Sequence, residues 1–494
     1  MNRLPEGWAY TKLTDVAEKI GSGATPKGGR ESYLHSGIPL VRSMNVHFEG
    51  FRDDGLAFLD AQQARKLDGV IVQESDVLLN ITGASIGRVT AAPSRMHGAR
   101  VNQHVSIIRL VNGIEPRFIC LNLAAPEMQR LIVQENYGVT RPALTKSMIE
   151  NFRIAVPPLP EQRRIVAKID TLSGKSKRAR DHLDHVPLLV RRYKQAILAA
   201  SFRGDLTREW RVGKNLGVSI KDLEMRRKAS WEREHQDGRI KGRYSAADPI
   251  DWQPSIQELP AGWVWASVDQ ITSLIQYGSS AKTSEASEGV AVMRMGNIQD
   301  GKLDFSSLKY LPNNHIEFPE LLLVKGDVLF NRTNSAELVG KTAVYSGNPS
   351  KASFASYLIR LRCCGLLPQL LSSYINSSHG REWVASVVNQ QVGQANVNGT
   401  KLKQLGIPVM PEAEQSEIVR RIEHAFTWID RLAAEATSAR KLVDLLDQAI
   451  LAKAFRGELV PQDPSDEPAS VLLDRIRSER ASTAAAKPKH KAKK

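Results

Sequence analysis

Several residue clusters in this 494-residue chain have the composition of catalytic or cofactor sites but the wrong spacing. Gly340-Lys341-Thr342 could close a phosphate-binding loop, but that loop requires a glycine where this chain has Ser335. Gly21-Ser22-Gly23 lacks the third glycine of a dinucleotide-binding turn. The 11 His form no His-Glu-x-x-His pair, and the 3 Cys cannot supply four zinc ligands. The residues therefore predict no catalytic, metal or cofactor site.

The charge of the chain predicts a polyanionic partner. Its formal net charge is +15, which favours nucleic acid as that partner. The excess is concentrated in residues 161–245, with 22 Lys and Arg against 11 Asp and Glu, and in the five lysines of residues 487–494. The two large stretches that flank the central segment are nearly neutral, so binding there would depend on local patches.

Composition also predicts the class and location of the protein. Hydrophobic residues make up 42% of the chain and charged residues 24%, as in ordinary globular proteins. The low cysteine content predicts a reducing compartment rather than a disulfide scaffold. We expect no association with a membrane, because no apolar run approaches about 18 residues and residues 1–10 do not resemble a signal peptide. These features predict a cytoplasmic protein.

The chain repeats itself with an offset near 253 residues. Leu4-Pro5-Glu6-Gly7-Trp8 recurs as Leu259-Pro260-Ala261-Gly262-Trp263. Further collinear matches include Glu161-Gln162 with Glu414-Gln415, and Phe202-Arg203-Gly204 with Phe455-Arg456-Gly457. A period this long indicates two whole domains rather than a solenoid.

Each half of the repeat has the same plan. Short strand-like runs interrupted by Gly and Pro come first and predict an α+β domain, and a long helical segment follows. The predicted order is a first globular domain at 1–157, a first long helix at 158–204, a charged linker at 205–257, a second globular domain at 258–410, a second long helix at 411–457, and a basic tail at 458–494 that is disordered at its end.

Both helical segments carry apolar residues at heptad spacing over about five heptads. Ten of eleven seam positions are apolar in each segment, which predicts that the two helices pair as an antiparallel coiled coil. Two long helices in ordinary bundles are the alternative. Pro187 should mark a kink or a restart of the first helix. The residues predicted at the helix-pair or partner interface are Ile165, Ile169, Leu172, Leu183, Val190, Ile197, Ile418, Ile422, Ile429, Leu432, Val443 and Ile450.

These repeated motifs resemble those of a known family. Two variable domains, each closed by Pro-x-x-Glu-Gln-x-x-Ile-Val and a helix ending in Gln-Ala-Ile-Leu-Ala-x-x-Phe-Arg-Gly, are similar to the specificity subunit of type I restriction-modification systems. The matching segments are residues 158–166, 195–204, 411–419 and 448–457. Departures are Ala413 in place of the usual Leu, the long charged linker, and the lysine tail.

The resemblance implies a non-catalytic subunit that binds double-stranded DNA. Each globular domain would be a target recognition domain that reads one half of a bipartite, non-palindromic site. The helices would hold the domains apart and dock two adenine methyltransferase (modification) subunits, which motor-nuclease (restriction) subunits could join. S-adenosylmethionine, ATP and magnesium would be bound by those partners, and this chain would bind no cofactor.

Residues shared by the two domains cannot distinguish two different half-sites, so they suit phosphate contacts or loop scaffolding. This applies to Arg42 and Arg294, for which contact with DNA and a buried structural role are both open. Base contacts should come from loop residues that the domains do not share, with Arg and Lys suited to guanine and Asn and Gln to adenine. The full set of candidate DNA-binding residues is Lys27, Arg30, Arg42, Arg100, Asn102, Gln103, Lys282, Arg294, Arg332 and Asn334.

Two other classes of protein stay open at this point. A coiled-coil scaffold or adaptor with two protein-binding domains would show the same helices and repeats, but it would not bind DNA in the presence of competitor. A nuclease acting alone would cut DNA in a magnesium-dependent reaction without partners. The sequence does not give the recognised bases or the spacer length of the site.

Overall fold

A computed structural model describes residues 4–26, 28–134, 143–254, 258–285, 288–335, 338–391 and 394–486. The chain divides into two compact units. The first unit comprises Met1–Asp184 with Thr437–Lys494, and the second comprises His185–Ala436. This division differs from the linear order predicted from the sequence, because each long helix has its two ends in different units.

The first unit begins with an α+β domain that leads into a long helix. Its strands are β1 (Ala9–Lys12), β2 (Ala17–Ser22), β3 (Ile38–Val41), β4 (Val46–His47), β5 (Gly50–Phe51), β6 (Ala57–Leu59), β7 (Val77–Asn80), β8 (Val89–Ala91), β9 (Arg100–Val101), β10 (Val105–Leu110) and β11 (Arg153–Val156). Its helices are α1 (Leu13–Val16), α2 (Ala61–Arg65), α3 (Pro116–Ala124), α4 (Pro126–Gln134), α5 (Lys146–Glu150) and the start of α6 (Leu159–Phe202).

The second unit contains the end of α6 and the second α+β domain. Its strands are β12 (Val264–Ser267), β13 (Thr272–Tyr277), β14 (Val290–Met293), β15 (Ile298–Gln299), β16 (Lys302–Leu303), β17 (Lys309–Leu311), β18 (Val328–Asn331), β19 (Thr333–Asn334), β20 (Thr342–Val344), β21 (Ala352–Phe354), β22 (Leu358–Cys363), β23 (Asn389–Gln391), β24 (Gln394–Asn396) and β25 (Gly406–Val409). Its helices are α7 (Arg208–Arg211), α8 (Ile220–Gln236), α9 (Pro368–Asn376), α10 (Ser378–Val387), α11 (Gly399–Lys403) and the start of α12 (Glu412–Phe455). The last described element is α13 (Ala469–Ala486), which belongs to the first unit.

The two domains share one sheet plan. An antiparallel four-stranded sheet has the order β2-β10-β7-β8 in the first unit and β13-β22-β18-β20 in the second. A mixed three-stranded sheet follows, ordered β6-β3-β9 and β17-β14-β21, with one parallel pair in each. The first strand of each domain pairs with its last, β1 with β11 and β12 with β25. The sequence repeat therefore corresponds to a repeat of topology.

Each unit builds its core from both long helices. In the first unit, Ile165 and Ile169 near the start of α6 pack in the same apolar cluster as Ile450 near the end of α12. In the second unit, Ile418 near the start of α12 packs in a cluster with Phe202 at the end of α6. Much of the apolar stripe near the helix ends therefore contacts a globular domain.

The helices pair antiparallel within each unit. In the first unit, Arg180 Nε lies 3.0 Å from Asp444 Oδ1, and Arg440 Nε lies 3.2 Å from Asp184 Oδ1. In the second unit, Lys194 Nζ lies 2.5 Å from Asp430 Oδ1. Residue numbers rise along α6 as they fall along α12, which confirms the predicted antiparallel pairing.

Burial along the predicted seam is uneven. Ile165, Ile169, Ile418, Ile422, Ile429 and Ile450 are buried, whereas Leu172, Leu183, Val190, Ile197 and Val443 are half-buried. Leu432 is 41% exposed, so it does not pack between the two helices, and its predicted contact with a partner stays a prediction. A helix with 3.6 residues per turn drifts against a 3.5-residue repeat, which carries some heptad positions out of the interface. Pro187 starts no new helix, because α6 is continuous through it.

The segments predicted as a charged linker and a basic tail both contain packed helices. Within 205–257, α8 buries Leu223 in the apolar cluster of the second unit. Within 458–494, α13 buries Leu472, Leu473 and Ile476 in the cluster of the first unit. Few apolar residues interrupt the charged ones in these segments, so composition concealed their contribution to the cores. Residues 487–494, where disorder was predicted, lie outside the described residues.

The repeated Gly-Trp and Glu-Gln motifs attach each domain to the start of its own long helix. The indole of Trp8 donates to Glu161 Oε1 at 3.1 Å, and that of Trp263 donates to Glu414 Oε2 at 2.8 Å. The next residue, Gln162, accepts from the Glu115 amide at 2.9 Å and donates to the Pro157 carbonyl at 3.0 Å. Gln415 makes the corresponding bonds in the second unit. Motifs distant in sequence thus form one joint.

The repeated glycines after the long helices make the converse attachment. Gly204 ends α6 with a φ of 76°, and Gly457 follows α12 with a φ of 72°, a left-handed conformation that favours glycine. A Cβ at Gly204 would lie 2.4 Å from Pro260 Cγ, and one at Gly457 would lie 2.3 Å from Pro5 Cγ. The end of each helix therefore packs against the first residues of the other repeat's domain, which fixes each domain from two sides.

Candidate nucleic-acid interface

A turn shared by both domains has an asparagine three residues after each of the shared arginines, Arg42 and Arg294. The buried Asn45 accepts from the Arg42 amide at 3.0 Å and donates to the carbonyl of Arg52 at 2.9 Å. Asn297 accepts from the Arg294 amide at 2.9 Å in the same way. The two asparagines therefore scaffold the turn and are unsuited to contact a ligand.

The two arginines of this turn are half-buried. The Arg42 guanidinium lies 5.3 Å from the centre of the Tyr33 ring and donates to the Gly55 carbonyl. Arg294 donates to the Ser307 carbonyl at 3.4 Å. The Nε atom of each arginine is buried, with no hydrogen-bond partner among the described residues. Both arginines retain donors that could contact a phosphate, which leaves the two roles weighed from the sequence open.

Two candidate DNA contacts in the first domain are corrected by the structure. Arg100 is 7% exposed, and its guanidinium donates to the carbonyls of Ala64 and Gly98 and to Asp68 Oδ1. Asn102 is 4% exposed, and its Oδ1 accepts from the His104 amide at 3.0 Å. Both side chains hold the loop before β10, so neither is placed to read a base.

The remaining contact candidates of the first domain are Gln103, Lys27 and Arg30. The exposed Gln103 accepts from Thr25 Oγ1 and lies 2.9 Å through Nε2 from His104 Nε2. Lys27 and the side chain of Arg30 lie outside the described residues. Gln103 therefore stays a candidate, now as part of a polar chain that the sequence did not reveal.

The corresponding strands β7 and β18 each end at one edge of their sheet. We call this edge the variable edge. In the first unit it comprises Ser22, Thr25, residues 80–82, residues 102–104 and Ala143; in the second it comprises Tyr277, residues 331–334, Tyr357 and Asn396. Its backbone is alike in the two units: the amide of Ile81 donates to the His104 carbonyl, and that of Arg332 to the Tyr357 carbonyl. Its side chains differ.

Among the candidates of the second domain, Arg332 is held in place by both an aromatic ring and a carboxamide. Its guanidinium carbon lies 4.8 Å from the centre of the Tyr277 ring, and NH2 lies 3.4 Å from Asn396 Oδ1. The sequence singled out Arg332 but missed Tyr277 and Asn396, which lie 55 and 64 residues away and become neighbours only through strand pairing. Nearby, Asn334 is half-buried and accepts from the Ser335 amide, and Lys282 is exposed.

The described residues contain no group of three or more His, Cys, Asp or Glu placed to hold a metal ion. The three cysteines are free, and burial raises the pKa of the Cys120 and Cys364 thiols to about 12. Thiols with such pKa values are poor nucleophiles at neutral pH. Among the described segments, no helix is long and apolar enough to cross a membrane.

Comparisons with known proteins identify the family. The family model for the type I restriction modification DNA specificity domain matches residues 5–181. The chain is similar to the type I restriction-modification specificity subunits. These are DNA-recognition subunits, so the expectation of a non-catalytic chain is confirmed by the family rather than by any missing site.

Two relatives are similar over nearly the whole chain. The specificity subunit of the type I restriction enzyme EcoKI from Escherichia coli K12 is 24% identical over 99% of both chains. That of StySPI from Salmonella potsdam is 24% identical over 97% of both chains. The specificity subunit therefore matches relatives across both halves of its repeat.

Two solved structures share the fold. A chain from a study of complex assembly and conformational transition of the type I R-M system gives a TM-score of 0.61 at 20% identity, covering 93% of this chain and all of that one. The HsdS subunit from Thermoanaerobacter tengcongensis gives 0.53 at 18% identity, covering 93% and 99%. The predicted fold class, with two α+β domains and paired long helices, is confirmed.

Proposed function

We propose that this specificity subunit reads a bipartite, non-palindromic site in double-stranded DNA, with one domain on each half-site. The observation that carries the proposal is the variable edge, where two domains with the same backbone present different side chains. Ile81 in the first domain and Arg332 in the second have equivalent backbone hydrogen bonds. Side chains that differ on a common scaffold suit two different base sequences, because base edges carry the sequence information in DNA.

We further propose that the long helices dock modification subunits, two per chain, to which restriction subunits can attach. Large apolar side chains are exposed on α6 and α12, although monomeric surfaces tend to disperse such groups. They are Leu188, Leu189, Tyr193, Trp428, Leu432, Leu442, Leu445 and Leu446. S-adenosylmethionine, ATP and magnesium would be bound by those partners, and the complex would act in the cytoplasm, where bacterial DNA lies.

A domain exchange tests this proposal. Residues 4–157 together with 458–486 would be replaced by the equivalent segments of a relative that recognises another site, since α13 packs in the first core. The chimera should assemble with its modification subunits and methylate adenines in a site with one new and one original half. Methylated adenines would be mapped by single-molecule sequencing of modified genomic DNA.

The matched control exchanges residues 4–157 alone. It places Leu472 and Leu473 of the original α13 against a foreign core, so it should be less stable than the full exchange. If the full chimera changes both half-sites or neither, one-domain-per-half-site reading is wrong. A complex that binds competitor DNA as well as its own site would favour the adaptor alternative.

A further inference from the structure

The backbones of the two domains match around Arg332, but the side chain at this position differs between them. Asn331 pairs with Leu358 across the sheet as Asn80 pairs with Val105. The residue after each asparagine donates its amide to the facing loop, and its carbonyl accepts from Val397 in the second unit and from Leu144 in the first. That residue is Arg332 in the second domain and the buried Ile81 in the first.

The residues around Arg332 also differ from their counterparts. Tyr277 pairs with Ile359 on β22, where Ser22 occupies the corresponding place on β2 opposite Ser106. Asn396 pairs with Thr333 as Ala143 pairs with Thr82. The aromatic ring and the carboxamide that hold Arg332 are therefore replaced by a hydroxymethyl and a methyl group. The arginine and its two supports occur together in one domain and are absent together from the other.

These supports fix the guanidinium before any ligand arrives. The guanidinium carbon lies over the Tyr277 ring, and the phenol of Tyr277 accepts from the Gly399 amide at 2.7 Å, which holds the ring. Asn396 Oδ1 lies 3.4 Å from NH2. No described residue bonds NH1. A guanidinium held over an aromatic ring retains a planar donor pair at little further cost in conformational entropy.

From this arrangement we infer that Arg332 reads a guanine in the second half-site through a two-pronged hydrogen bond to O6 and N7, and that Tyr277 and Asn396 are its positioning residues. Guanine is the base whose major-groove edge offers two adjacent acceptors to an arginine. A phosphate contact serves any sequence and is expected at positions that both domains share, as with Arg42 and Arg294. The inference rests on the proposed DNA-reading function and names one base of its site.

The test uses the full chain assembled with its modification subunits. Duplexes that carry each of the four bases at every position of the second half-site would be compared in equilibrium binding and methylation. Arg332→Ala should reduce discrimination at one G·C pair by about ten- to a hundredfold and leave the first half-site unchanged. Arg332→Lys should lose part of this discrimination, because an ammonium can contact guanine but lacks the planar donor pair. Tyr277→Ala should relax the same position to a smaller extent.

Arg243→Ala is the matched control, since it removes an equal charge from an exposed arginine outside the variable edge. It should keep the full recognition pattern. If Arg332 instead contacts a phosphate, Arg332→Ala should weaken binding to all sequences alike and flatten its salt dependence, and Arg332→Lys should keep wild-type binding and discrimination. That result, or unchanged discrimination in Arg332→Ala, would overturn the inference. If the wild-type complex itself shows no bipartite site, the proposed function fails, and that outcome is distinct because it needs no variant.

Discussion

The two units bind a buried carboxylate in the same way, and the second unit adds an arginine beside it. In the first domain Asp76 is bound by Arg109, whose Nε and NH2 lie 2.9 and 2.8 Å from the two carboxylate oxygens. In the second domain Asp327 is bound by Nε and NH2 of Arg362 at 2.8 and 2.9 Å. The strand register places Arg362 where the first domain has Arg109, so this contact is common to both domains.

The added arginine is Arg360, which lies where the first domain has Ile107. It is 1% exposed and donates to the carbonyls of Leu322 and Glu320 at 2.7 and 2.9 Å and to Gln276. Burial lowers its pKa to about 10. The Ile-Arg-Leu sequence that both domains contain is two residues out of register between their strands, so a sequence match between the repeats does not establish equivalence of contacts.

A second comparison concerns the joint between each domain and its long helix. Glu414 accepts from Thr207 Oγ1 at 2.6 Å, from Arg211 NH1 at 2.6 Å and from Trp263. Glu161 in the first unit has no arginine in this role; besides Trp8, it accepts from Gln462 Nε2 at 3.2 Å. The joint is charge-paired in the second unit and relies on neutral donors in the first.

The largest expected effect tests the first comparison. Asp327→Asn removes the carboxylate shared by the buried Arg362 and Arg360 and leaves Glu234 as the remaining acidic partner of Arg362. Breaking a buried pair costs about 3–5 kcal/mol. Asp76→Asn should cost less, because the Arg109 side chain is 16% exposed and can be hydrated. Urea unfolding monitored by hydrogen exchange in peptides of each unit would measure both. Equal costs would show that the additional buried arginine of the second unit adds nothing.

The sequence predicted the scaffold better than the contacts. Collinear repeats located both domains, and heptads located α6 and α12 to within about two residues of their ends. Such patterns persist because they describe which face of an element is apolar. No sequence pattern predicted that Glu161 would contact Trp8 and Gln462, because these residues are distant in the chain. Glu161 and Gln462 lie 301 residues apart.

The candidate site was predicted less well, for a related reason. Loop position suggested Arg100 and Asn102, yet both are buried within their own loop. A polar residue in a loop either holds the backbone or contacts a ligand, and only its partners distinguish the two roles. Arg332 was found from its loop, whereas Tyr277 and Asn396 required the strand register.

A smaller effect tests the second comparison. Glu414→Gln removes the negative charge that accompanies Arg211, so we expect a loss of about 1.5–3 kcal/mol, as for hydrogen bonds to charged groups. Glu161→Gln keeps an acceptor for neutral donors and should cost no more than about 1 kcal/mol. The same hydrogen-exchange measurement applies. If both variants lose equal stability, the charge of Arg211 does not distinguish the joints.

The smallest expected effect is a pH dependence of stability. It should have opposite signs for Glu161 and Glu417, because their pKa values shift in opposite directions. Burial raises the pKa of Glu161 above its ordinary value of 4.5, although hydrogen bonds from Gln462 and Trp8 oppose the rise. In the second unit, hydrogen bonds from Arg420 and Arg421 lower the pKa of Glu417 from 4.5 to about 2. The folded first unit therefore binds a proton at Glu161 more tightly than the unfolded chain, and the folded second unit binds one at Glu417 more weakly.

Glu161 stabilises the fold fully below the pKa that it has in the unfolded chain, and this stabilisation is lost as pH rises through its folded pKa. Glu417 stabilises the fold above pH 4.5, and this stabilisation is lost as pH falls toward 2. Relative to the wild type, Glu161→Gln should thus gain stability as pH rises above about 4.5, whereas Glu417→Gln should lose stability as pH rises from about 2 to 4.5. Differences in urea midpoint between each variant and the wild type would be measured across both ranges, which cancels the titration of all other groups. Slopes of the same sign would contradict the assignment of a desolvated carboxyl to the first joint.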